Sequence, residues 1–86
     1  MSSLDEIRSA LAQTNEKAQY VLGALRQAAL ELQEIHQMLQ QGLAGSSQAA
    51  AEQAITAYMQ ASYQLEEAQG VVQAAMNATD EYAAVL

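Results

Sequence analysis

Cysteine, proline, phenylalanine and tryptophan are absent from this 86-residue sequence, and histidine occurs once. Without cysteine there is no disulfide, and one histidine cannot assemble a Cys/His zinc site. A chain this short buries a modest share of its surface and is normally held by a disulfide, a metal or a partner. Only the partner is left. The lack of proline removes the strongest helix breaker, and the plentiful alanine, glutamine, glutamate, leucine and methionine are good helix formers.

Basic residues are scarce as well. Arg8, Lys17 and Arg26 are the three cations, all in the first half, against ten acidic residues, for a formal net charge of -7. Phosphate backbones and anionic lipid surfaces repel such a chain, so nucleic acid is not an expected partner and a basic protein suits it better. No apolar run approaches the roughly 20 residues that span a bilayer, so no membrane insertion is expected. The opening Met1-Ser2-Ser3-Leu4-Asp5-Glu6 is acidic where a secretory signal is basic and then apolar. The expected location is cytoplasmic, or secreted without a cleavable signal peptide.

Constellations that carry chemistry are missing in the same way. The sequence has no Gly-x-Ser-x-Gly, and Gly42-Leu43-Ala44-Gly45 lacks the lysine of a phosphate-binding loop. The acidic pairs Asp5-Glu6, Glu66-Glu67 and Asp80-Glu81 diverge, because consecutive helical residues point about 100° apart. No Glu-x-x-His occurs, and the helical neighbours of His36 are Leu32, Gln33, Leu39 and Gln40, none of them a metal-ligand partner. No catalytic residue, cofactor or metal is therefore expected, and His36 reads as a structural residue beside the core.

What the chain does have is periodicity. Ser3-Leu4-Asp5-Glu6 has the Ser-x-x-Glu form of a capping box and predicts a helix start. Leu4, Ile7, Leu11, Thr14, Ala18, Val21, Leu25, Ala28, Leu32, Ile35 and Leu39 then alternate at spacings of three and four, the a and d positions of unbroken heptads. Leu22, Ala29 and His36 widen that stripe on one side. Glycine and serine cluster only at Gln41-Gly42-Leu43-Ala44-Gly45-Ser46-Ser47, where the chain should turn, with Gly42 closing the first helix in the left-handed conformation and Ser46 or Ser47 capping the next. Leu43 is placed to plug the end of the core. A second heptad run follows through Ala54, Tyr58, Ala61, Leu65, Ala68, Val72, Ala75, Thr79, Tyr82 and Leu86, flanked by Ile55, Ser62, Gln69, Met76 and Ala83.

The prediction is an all-α, antiparallel two-helix hairpin, with helix over about 3–41, turn over about 42–46 and helix over about 47–85. Its seam is expected to include Leu4, Ile7, Leu11, Val21, Leu25, Leu32, Ile35 and Leu39 with Tyr58, Leu65, Val72 and Met76, and the alanine column of the second helix should allow close approach. Two helices share one seam, and these stripes are wider. The surplus, including Leu22, Met59 and Val71, should be covered by a second hairpin in a four-helix bundle, a homodimer or a pair with a related hairpin. Tyr58 and Tyr82 fall on the stripe. Tyr20 and Tyr63 fall off it and are candidates for contact with a third component.

With hairpin, length and turn in place, the chain resembles the WXG family of small helical hairpins that accompany type VII secretion in Gram-positive bacteria. Members carry Trp-x-Gly in the turn and relatives carry Leu-x-Gly; Leu43-Ala44-Gly45 stands at that place. The family's Tyr-x-x-x-acidic export signal finds Tyr82 at the matching distance from the turn, with Leu86 in the acidic position, while Tyr63 and Glu67 fit the letters earlier in the helix. The resemblance implies a dimeric four-helix bundle and a non-enzymatic partner, chaperone or targeting companion that engages the N-terminal helices of a larger effector or toxin. Two other readings suit the same residues: an intracellular antitoxin or immunity protein that covers a basic site with its acidic surface, and a purely structural coiled-coil module.

Overall fold

The computed structural model describes residues 3–86, and within them the chain is two helices, α1 (Leu4–Gly42) and α2 (Ala49–Ala84), packed antiparallel as a hairpin. The rod measures 63 × 19 × 15 Å. Its Cα radius of gyration is 19.4 Å, whereas a compact chain of this length has about 12 Å.

Ser3 caps α1 as its sequence position requires: its hydroxyl accepts from the Glu6 backbone N–H at 3.2 Å, and Asp5 and Glu6 complement the positive end of the helix. The turn differs from expectation in two ways. Gly42 is the last residue of α1 itself, and the left-handed residue is Gly45, with φ 85°. The Leu43 N–H bonds back to the Leu39 carbonyl at 2.8 Å and the Ser46 N–H to the Leu43 carbonyl at 2.9 Å, so the chain leaves the helix one residue later and reverses at the second glycine. Neither serine caps α2. Gln48 holds that position with no side-chain cap, and the helix starts at Ala49, two residues later than predicted.

Gly42 and Gly45 therefore respond oppositely to substitution. A methyl group meets nothing within 4 Å at either site, so only backbone conformation decides. Gly45→Ala forces a left-handed alanine and is expected to cost about 1–2 kcal/mol. Gly42→Ala removes a glycine from helical backbone and should stabilise by a few tenths to about 1 kcal/mol. Urea melts followed by circular dichroism measure both; equal effects at the two sites would contradict this turn.

Burial locates the seam. From Leu11 to Leu43 the protected residues of α1 follow the predicted a column and the e column beside it, Asn15, Leu22, Ala29, His36 and Leu43, joined by Ala28 and Ile35 of the d column. In α2 the e column again lies inward at Ile55, Ser62, Gln69, Met76 and Ala83. The three buried residues among those described, Leu22, Ala29 and Met76, all belong to it. Leu22, expected at the margin, is 5% exposed at the heart of the rod. The d column is half-buried near the turn, at Ala28 and Ile35 and at Ala54, Ala61 and Ala68, and exposed at Thr14, Val21, Ala75 and Tyr82. The alanine column thus does not bring α2 against α1 along its whole length. Of the expected seam, Ile7, Leu11, Leu25, Leu32, Ile35, Leu39, Leu65 and Val72 are half-buried and Met76 is buried, while Leu4, Val21 and Tyr58 are exposed.

Candidate protein-docking site

Around a helix the heptad columns run a, e, b, f, c, g, d, because each residue advances about 100°. With a and e turned inward on both helices, d and g line one flat side of the hairpin and b lines the other. The d and g side is small and apolar. It exposes Ala10, Thr14, Val21, Ala24 and Met38 from α1 and Ala57, Val71, Ala75, Ala78 and Tyr82 from α2, interrupted by Lys17, Glu31 and Gln64. The b side carries Arg26, Gln33 and Gln40 against Glu52, Glu66, Gln73 and Asp80, with Met59 among them.

An open groove of 660 Å³ runs along the apolar side in the outer half of the rod, lined by Ala10, Thr14, Ala18 and Val21 of α1 and by Val72, Ala75, Met76 and Thr79 of α2, among others. Gln13, Asn15 and Lys17 complete its lining, so a polar edge borders the apolar residues. The scale of the uncovered surface is set by the whole chain. Its accessible area is 6392 Å², whereas a compact monomer of 9.2 kDa exposes about 4,900 Å². The excess, about 1,500 Å², is the size of one partner's share of an obligate interface.

The open end of the hairpin is tied by polar contacts that the heptad pattern did not reveal. Asn15 sits in the seam and donates through Nδ2 to the Asp80 carboxylate and to the Met76 carbonyl, the latter at 3.4 Å, leaving its Oδ1 buried without a partner. Arg8 reaches across to the Leu86 carbonyl at 2.9 Å. The available signal was Asn15 standing one heptad before Leu22; a polar residue in an apolar column fixes register. Lys17 lies over the Tyr20 ring, 5.5 Å from its centroid, at the edge of the apolar side.

The sequence-predicted sites are not brought together. Leu43 is half-buried at the closed end, where it ends the e column, and Ala44 and Gly45 are exposed beside it. Tyr82 is 51% exposed at the opposite end of the rod. Tyr63 is 62% exposed, with Glu67 one turn further along α2, about 28 Å from Tyr82 by helical rise. Tyr20 and Tyr63 are exposed, in keeping with their place off the stripe, and so is Tyr58. His36 is half-buried in the e column with its Nε2 lacking a partner. Among the described residues no three His, Cys, Asp or Glu side chains stand close enough to hold a metal ion, and no helix is long and apolar enough to cross a membrane. Comparison with protein-family models, with curated proteins and with solved structures finds no match.

Proposed function

We propose that this chain is a non-enzymatic, WXG-like helical-hairpin binding protein, a type VII secretion-associated companion of a larger effector or toxin, that pairs through its d and g side with a second hairpin. The observation that carries the pairing is the run of exposed apolar residues on the d and g side, Val21, Met38, Val71 and Tyr82 among alanines, in a rod with about 1,500 Å² more surface than a compact monomer of its mass. A single seam with three buried residues among those described is half a core, and a second hairpin supplies the other half. The link to the family rests on the turn. In Leu43-Ala44-Gly45 the leucine closes the seam and the glycine takes the left-handed backbone, which gives both fixed letters of the Leu-x-Gly motif a physical reason.

Absolute mass by light scattering, with thermal unfolding by circular dichroism, tests this reading. Two results support it: a cooperatively melting particle of twice the 9.2 kDa chain mass, or a monomer that melts gradually because its apolar side awaits a different hairpin. A monomer with a sharp, high-temperature transition would show that the single hairpin suffices, and the reading would fail.

A further inference from the structure

Resting on pairing through the d and g side, we infer that the second hairpin is another copy of this chain, laid end for end so that each turn lies against the other copy's open end. The two-fold axis crosses α1 at Ala24. Two copies related in this way present the same surface to each other, and where residue i meets residue j, j also meets i. α1 then lies antiparallel on α1 of the second copy and α2 on α2, so residues equally far to either side of the axis come level.

Charge selects this arrangement. Lys17 and Glu31 are the two charged residues in the d and g columns of either helix, and they stand seven residues to either side of Ala24, about 10 Å each way along the axis. End for end, each Lys17 comes level with Glu31 of the second copy, and the pair forms twice. With both turns at the same end, α1 would face either α2 of the second copy, whose d and g columns carry no charge, or α1 itself, where Lys17 meets Lys17 and Glu31 meets Glu31. Both side chains already lean to the outer rim of the apolar side, Lys17 over the Tyr20 ring and Glu31 accepting from the Gln27 amide at 3.5 Å. Rim charges of this kind choose partner and orientation more than they add affinity.

Side-chain volume leads to the same axis. Fourteen residues to either side of Ala24 stand Ala10 and Met38, the methionine 70% exposed, so end for end the longest side chain of that column falls on one of the shortest. In α2 the axis can be located without reference to charge. Asn15 bonds to the Met76 carbonyl, which makes Ala24, nine residues on from Asn15, level with Glu67, nine residues back from Met76 and next to Ala68 of the d column. Fourteen residues to either side of Ala68 stand Ala54 and the exposed Tyr82. Again the large side chain meets alanine, and at the axis alanine meets alanine on both helices, which lets the backbones come close. A different hairpin would have to supply both charges and these alanines at matching spacings, whereas this chain carries them itself.

The test is sedimentation of the full chain and its charge variants at low ionic strength. Lys17→Glu sets glutamate against glutamate at both ends of the interface and Glu31→Lys sets lysine against lysine, so each should weaken self-association about tenfold or more. The double variant, Lys17→Glu with Glu31→Lys, restores opposite charges and should return to within about threefold of the parent. Both residues are exposed, so helicity by circular dichroism should hold in all three. The chain has no cysteine, which lets Ala24→Cys report the axis: its thiols should oxidise to a linked dimer, while Gln33→Cys on the b side should stay unlinked. A parent that is monomeric at about millimolar concentration, single variants that associate like the parent, a double variant that is not rescued, or Ala24→Cys that does not link would each overturn self-pairing. Failure here is separable from failure of the pairing reading. A dimer that Val21→Asp dissociates but charge reversal leaves unchanged keeps the d and g side and refutes this orientation, whereas a monomer with a sharp, high-temperature transition removes both.

Discussion

Leu22→Asp is expected to unfold the hairpin. Leu22 is 5% exposed at mid-height in the seam, and truncating a buried leucine to alanine alone costs about 2–5 kcal/mol. Aspartate adds a buried carboxylate that must be desolvated or protonated. A chain of this size has a total stability of roughly 4–13 kcal/mol, and one with three buried residues among those described belongs at the lower end. The variant should lose its cooperative urea transition and much of its ellipticity at 222 nm. Leu30→Asp, on the exposed f column of the same helix, is the control and should stay within about 0.5 kcal/mol of the parent. A Leu22→Asp variant that melts like the parent would mean that the e column is not the seam.

The neighbouring residue is expected to behave differently. Val21 lies about 100° further round α1 and is 39% exposed on the apolar side. In the isolated hairpin an aspartate there meets water and barely changes helicity. In the paired state it faces the apolar side of the second hairpin as an unpartnered charge, which costs about 3–5 kcal/mol, or a hundredfold to several-thousandfold in Kd. Sedimentation or light scattering should show the assembly dissociating while the helical signal of each hairpin persists. Retained mass would place the partner elsewhere on the rod. Loss of helicity would mean that the d column supports the hairpin itself.

These two substitutions, one residue apart, also mark how far the sequence could be read. Both helices, their order and the turn between them were legible, because spacings of three and four persist through each arm and glycine clusters in one place. The capping of α1 by Ser3 was legible for the same local reason. The cap of α2 was not. Two serines stand just before that helix, yet the chain must first descend from the reversal at Gly45, and Gln48 is the residue that reaches the helix start.

Which columns form the seam could not be read from periodicity, since a, d and e all carry apolar residues and two facing helices have room for two columns each. Packing decided it through side-chain volume. In α2 the e column offers Ile55 and Met76, whereas the d column is alanine at four of its five positions, Ala54, Ala61, Ala68 and Ala75, with Tyr82 the fifth. Turning e inward removes more apolar area from water, and it also brings Asn15 within reach of Asp80. The sequence by itself determined a helical hairpin with more apolar surface than one seam can bury. Only the tertiary structure decided that the d and g side is the one left open, and that His36, Tyr63 and Glu66 line one groove on the other, because a face exists only once two helices have chosen how to turn toward each other.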